Sequence, residues 1–161
     1  MSYEISVRDV PDQWMVSSRR QLTLPEIPVF IGESYGRIFG LLGRLGVEAS
    51  AVPFVIYHHF GPGRIDAEAC VPIAKKITPG EGLKVRKLHA ASVAWTLHVG
   101  PYEALGSAYE ALNEWIGDHG REPAGPVRER YLNGPAEGVW PGDYLTEIEM
   151  PVSEVRAAVP V

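Results

Sequence analysis

Apolar residues recur along this chain in two rhythms. Val93, Trp95, Leu97 and Val99 alternate with Ser92, Ala94, Thr96 and His98, while Thr146, Ile148 and Met150 alternate with Leu145, Glu147 and Glu149. A period of two belongs to strands that cover one face. Tyr35, Ile38, Leu42 and Leu45 follow one another three or four residues apart, as do Leu105, Tyr109, Leu112 and Ile116. That spacing gives a helix one apolar stripe, and each run stops at a glycine, Gly46 or Gly120, suited to the left-handed residue that ends helices. Pro101 near the start of the second helix costs no hydrogen bond, and Glu103 meets its positive end.

The two rhythms occur twice in the same order. Cys70-Val71-Pro72-Ile73 and Glu149-Met150-Pro151-Val152 lie 79 positions apart, as do Glu68 and Glu147, and Met15-Val16 and Ala94-Trp95. Between these outer portions the offset is 74, carrying Tyr35 onto Tyr109, Ile38 onto Leu112, Leu42 onto Ile116, Gly46 onto Gly120 and Tyr57 onto Tyr131. One loop therefore shortens by five residues and a later one lengthens by five. Pro79-Gly80-Glu81-Gly82 interrupts both rhythms and reads as the linker. The expectation is an α+β fold: one domain over residues 1–161, made of two pseudosymmetric strand-strand-helix-strand-strand units over about 1–78 and 83–152. About eight strands should form a mainly antiparallel sheet with both helices on one face.

Composition narrows the function classes. The 161 residues are 45% hydrophobic and 22% charged, an ordinary globular balance for one core. A net charge of -5 without a Lys/Arg-rich run removes the attraction to phosphate on which nucleic-acid binding rests. No run approaches the roughly 18 apolar residues of a membrane span, and no export signal opens the chain. Cys70 is the lone cysteine, which excludes an internal disulfide. The chain is thus expected to be cytoplasmic.

His58 and His59 with Asp66 and Glu68 invite a metal reading, but adjacent residues on a regular strand point to opposite faces. No metal and no cofactor are expected. Cys70 reads as an inert thiol, Gly61-Pro62-Gly63 as a hairpin turn, and neither a nucleophile elbow nor a phosphate loop is present. Glu147 lies on the strand face opposite Thr146, Ile148 and Met150; should those three pack on the helices, it points into a groove on the other face, and a solvated strand glutamate is the competing reading.

Several stretches together resemble a known family. They are Val55-Ile56-Tyr57-His58, Asp66 through Ile73, His98-Val99-Gly100-Pro101-Tyr102-Glu103, Ala108-Tyr109 with Leu112 and Trp115-Ile116, Gly125-Pro126 with Glu129 and Tyr131-Leu132, and Thr146-Glu147-Ile148 before Met150-Pro151-Val152. The His-x-Gly-Pro-Tyr and Thr-Glu-Ile segments are the most specific. The chain resembles the GyrI-like small-molecule-binding domains, a duplication of the SHS2 module also met as the effector-binding part of AraC-type and multidrug-responsive regulators.

The resemblance implies a curved sheet with a groove between the halves that binds bulky lipophilic compounds, often cationic or aromatic. It also implies an acidic pocket residue on the last strand, mapped here onto Glu147, with Glu68 as its repeat partner. Trp95, Tyr57, Tyr131, Tyr144, Trp140 and Phe54 are the candidate aromatic walls, with a core role as the alternative for each. Some relatives hydrolyse strained cyclopropane-bearing genotoxins. For such a detoxifying activity Glu147 would be the general base and Tyr131 the supporting hydroxyl. The alternative is a non-enzymatic sensor or protein-interaction module, gyrase-inhibitor-like or attached to a separate regulator. This chain begins at the domain itself, which weakens the regulator reading. The expected partners are small ligands rather than nucleic acid or membrane, and a homodimer is left open.

Overall fold

A computed structural model describes residues 2–80 and 82–155. Its elements run β1 (Ser6–Val10), β2 (Gln13–Leu22), α1 (Ile27–Leu45), β3 (Phe54–Gly61), β4 (Arg64–Ile73), β5 (Lys84–Leu88), β6 (Ala91–Val99), α2 (Leu105–Asp118), β7 (Arg121–Pro123), β8 (Val127–Tyr131) and β9 (Leu145–Glu154). The residues 79 or 74 apart fall on matching elements: β1 on β5, β2 on β6, α1 on α2, β3 on β8 and β4 on β9.

The main sheet has the order β1-β6-β9-β8-β3-β4-β2-β5, with every pairing antiparallel. Exchanging each strand for its repeat partner and reading backwards returns the same order, so the pseudo-twofold axis passes between β3 and β8. The first strand of each unit lies on the other unit's sheet, β1 beside β6 and β5 beside β2. A ninth strand, β7, exceeds the expected eight; it pairs only with the end of β9, from Arg121↔Glu154 to Pro123↔Val152.

Alternation sends Val16, Val71 and Ile73 of the first unit toward α1, where they meet Ile38, Leu41 and Leu42, while Ala69 packs in the neighbouring cluster with Phe30 and Tyr35. Ala94, Ile148 and Val152 meet Ala108, Leu112 and Ile116 of α2 in the same way. The helix stripes are therefore as the spacing predicts, except that Leu45 is 50% exposed where α1 runs out over solvent. Gly46 ends α1 at φ +67°, and its neighbour Val47 donates back to the Leu42 carbonyl at 2.9 Å. Ile38 and its repeat partner Leu112 are fully buried. Ile38→Val is expected to cost about 1 kcal/mol, the range for one lost buried methyl group, read from urea unfolding with an unchanged slope.

The opposite, helix-free face has its own filling. Met15, Phe54, Ile56 and Cys70 pack there, each at most 1% exposed, under charged side chains. A bulge between Tyr57 and His59 changes the expected alternation. His58 bonds to Glu68, and His59 becomes the register partner of Asp66, so both imidazoles fall on the helix-free side. Phe60 returns to the helix side, with its ring edge-on to Tyr57 at 5.6 Å.

Candidate functional site

β3 and β8 meet across the axis in the register Val55↔Glu129, Ile56↔Arg128 and Tyr57↔Val127. Val55 and Glu129 are also 74 positions apart in sequence, so the axis runs between two repeat partners that face each other. One is apolar and the other is a carboxylic acid, on the helix side of the sheet. Glu129 breaks the duplication on the helix side, as Arg128 on Phe54 and Arg130 on Ile56 break it on the other face.

Its surroundings come from both units. Tyr109 of α2 donates to Glu129 Oε2, and Tyr131 of β8 donates to Oε1 at 2.8 Å. Tyr131 thereby uses its hydrogen, so Tyr57 of β3 donates in turn to Tyr131 over 2.6 Å. Tyr35, the repeat partner of Tyr109, packs beside Tyr57 and Tyr131 from α1. Tyr102 lies edge-on to Tyr131 at 5.7 Å and stacks on Tyr144 at 4.9 Å.

Glu129 is 7% exposed, and burial pushes its carboxyl above the ordinary glutamate range against the lowering bonds from Tyr109 and Tyr131. Burial raises the hydroxyls of Tyr57, Tyr109 and Tyr131 as well, so all three remain donors at neutral pH. The cluster can therefore hold or move one proton, or set one negative charge against aromatic faces.

The His98-to-Tyr102 motif positions one wall. Gly100, at φ +136°, makes a turn that other residues resist, and its N–H donates to the Tyr144 carbonyl at 2.9 Å. The Pro101 carbonyl can only accept, so His98 Nε2 carries the hydrogen across 3.2 Å, while Nδ1 lies 2.9 Å from the Tyr3 hydroxyl. This buried imidazole ties the N-terminal segment to the turn that presents Tyr102. A Cβ at Gly134 would sit 3.1 Å from the Tyr102 hydroxyl, so the absent side chain makes room for that ring.

Beside the cluster, a cleft of about 500 Å³ lies between Leu24, Pro25 and the β3–β4 hairpin. Phe60, 60% exposed, reaches from its wall to Tyr57.

Of the residues expected from sequence, Tyr57, Tyr131 and Tyr144 join this cluster. Glu147, Glu68, Trp95 and Phe54 do not, because strand alternation places them on the helix-free face. Glu147 pairs with Arg8 and Arg130 there, and Arg8 lies 4.2 Å over the Trp95 ring. Glu147 and Tyr131 thus lie on opposite sides of the sheet and cannot act on one substrate together. Phe54 is fully buried beneath Arg130, and Trp140 is 74% exposed in the loop before β9. Among the described residues, no three His, Cys, Asp or Glu side chains converge as metal ligands. No helix among them is long and apolar enough to cross a membrane.

The chain is thus a duplicated antiparallel sheet with two helices on one face and a buried acid ringed by tyrosines on its axis. The chain belongs to the GyrI-like small molecule binding domain family, whose model matches residues 3–153. No curated protein matches the sequence.

Among solved structures, EcmrR in its DNA complex is 22% identical at a TM-score of 0.82, over 95% of this chain and 58% of that one. This chain thus spans little more than half of that protein, and the isolated EcmrR C-terminal domain is matched over its whole length at 23% identity and a TM-score of 0.78, over 96% of this chain. A hydrolase encoded by lin2189 from Listeria innocua is 12% identical, TM-score 0.70, covering 93% of this chain and 92% of that one. SAV2435 bound to tetraphenylphosphonium is 15% identical, TM-score 0.59, over 95% and 94%. At these identities the likeness is one of fold.

Proposed function

We propose that this chain binds a bulky lipophilic cation or aromatic molecule between its two helices, with Glu129 at the floor and Tyr57, Tyr102, Tyr131 and Tyr144 as walls. The observation that carries this reading is a buried carboxyl with two tyrosine donors and no basic partner in hydrogen-bond reach among the described residues. An acid paired only with hydroxyls is costly to ionise, and an arriving cation supplies the missing counter-charge. Tyr102 and Phe60, both at the surface, are the rings that swing to admit it. The role expected of Glu147 passes in this reading to Glu129.

Whole-chain calorimetric titration with tetraphenylphosphonium, the ligand held by SAV2435, tests it. Saturable binding is expected, weakened about 3- to 30-fold in Tyr102→Ala, the range for one aromatic face against a cation. No saturable heat with any of several lipophilic cations overturns the reading.

A second reading is favoured by the raised proton affinity of Glu129 beside three donors: hydrolysis of a strained, cyclopropane-bearing electrophile in the cytoplasm. Glu129 then deprotonates the attacking water, and Tyr131 or Tyr109 supports the charge developing on the substrate. The non-catalytic alternative is that the same ligand is sensed for a partner regulator.

A further inference from the structure

Arginine and lysine are placed differently in this chain. On the helix-free face, arginines and carboxylates form a lattice of ion pairs. Arg86 grips Glu68 through Nε at 3.0 Å and Nη2 at 2.6 Å, while Arg8 and Arg130 share Glu147 and Glu149. The lysines take no part in it. All four, Lys75, Lys76, Lys84 and Lys87, fall within 13 consecutive positions of a chain whose net charge is -5. In the sequence one acid, Glu81, interrupts that stretch.

Lys84 and Lys87 lie on β5, Lys75 and Lys76 on the connection after β4, and all four are exposed. Lys76 and Lys87 both approach Trp14, 5.7 and 5.5 Å from its ring centre, so connection and strand form one patch. Among the described residues, the one carboxylate in ion-pair reach of any of the four is Asp12, 3.9 Å from Lys87.

The same strand ends the sheet. β5 pairs with β2 from Ser17↔Lys84 to Gln13↔Leu88, and no described strand meets its other edge. Val85 packs on the cluster beneath α1 and Leu88 on the helix-free filling, so both faces of β5 are anchored. Its outer N–H and C=O groups are thereby held extended, a template for one more strand. Lysines on an edge also serve to block pairing between copies. That role would be needed equally at β1, the repeat partner of β5 at the opposite end of the sheet, which carries no lysine. Nor does it account for the two lysines outside the strand.

We infer that the outer edge of β5 receives an extended acidic segment of a partner protein, which adds a strand to the sheet and sets its carboxylates against the four lysines. Two strands, β4 and β2, separate β5 from β3 and the axis, and the inference does not rest on the ligand reading.

Fluorescence anisotropy of a labelled ten-residue peptide, Glu-Glu-Val-Thr-Val twice over, titrated with the whole chain, tests it. Saturable binding is expected. Proline in place of each valine and threonine of the peptide keeps its charge but removes those amide donors, and should weaken binding about 10-fold or more. The double variant Lys84→Gln/Lys87→Gln should bind the first peptide about 2- to 30-fold more weakly, the range for two exposed charge pairs. Hydrogen exchange of the unaltered chain should slow over residues 84–88 when that peptide is bound. No saturable binding, equal affinity for the proline peptide, an unaffected double variant, or unchanged exchange over 84–88 would each overturn the proposal. So would tighter binding of an oligothymidylate of equal charge, which would make the patch a phosphate-binding surface rather than a strand-docking one.

Discussion

Glu129→Gln is expected to lower the affinity for tetraphenylphosphonium about 30-fold or more while sparing neutral aromatic ligands of similar size. The substitution keeps the volume and two polar atoms for Tyr109 and Tyr131, so a loss confined to cations isolates the charge. A desolvated charge pair that loses one partner costs about 2–5 kcal/mol. The raised proton affinity adds a second signature. Glu129 is protonated over a higher pH range than an ordinary glutamate, so cation affinity should rise with pH as it ionises and be flat in the glutamine variant.

By linkage, a bound cation must expel the proton when titrated below that range's upper end. Calorimetry in buffers of different ionisation enthalpy should show this release for the native chain only. In the hydrolytic reading the same variant should lose about 100-fold or more in turnover with neutral substrate binding retained. Unchanged cation affinity together with unchanged turnover would remove Glu129 from the site.

Why Glu129 is hard to find in sequence follows from its place in the repeat. The offset of 74 reveals Tyr35 with Tyr109 and Tyr57 with Tyr131 because like meets like, and those pairs flank the axis in the structure. Glu129 instead falls on Val55, so a search for similarity passes over the position where function departs from symmetry. Two signals were available: that departure, a carboxylate two positions before Tyr131 on a strand whose repeat partner is apolar, and the place of Glu129 in the Gly125-Pro126 to Tyr131-Leu132 stretch that resembles the family.

The phase of Glu147 was legible, since it does face away from Thr146 and Ile148. Which side of the sheet carries the site was not, because a period of two separates faces without saying which one receives the helix tyrosines. The exchange of β1 and β5 between units was equally hidden. Pairing between distant edge strands leaves no mark on local periodicity. The bulge that brings His58 and His59 to one face has no marker residue such as glycine at its position.

The lattice on the helix-free face carries the largest expected effect on stability. Glu68 has a side chain only 3% exposed; burial alone would raise its carboxyl, yet Arg86, with Ser17 and His58, outweighs that and holds it down at about 2, against an ordinary value of 4.5. A depressed carboxylate contributes stability that is present above its unfolded value and lost as the pH falls through its folded one. Here the window runs from pH 4.5 down to about 2 and amounts to about 3 kcal/mol.

Arg86→Met removes the bidentate partner and leaves a buried negative charge with only His58, Ser17 and the more distant Arg19 around it. The expected cost at pH 7 is about 3 kcal/mol, at the low end for a broken buried pair because the Arg86 side chain is itself 38% exposed and water can enter. Adding Glu68→Gln should restore most of the loss, since a neutral amide no longer needs the guanidinium. The cost of Arg86→Met alone should also shrink between pH 5 and pH 3, as its Glu68, no longer held down by Arg86, takes up a proton sooner. Urea unfolding of the native chain, the single variants and the double variant at both pH values measures all of this. A cost that is independent of pH, or a double variant no better than Arg86→Met, would mean that Arg86 stabilises the sheet edge through its aliphatic stem rather than through its charge.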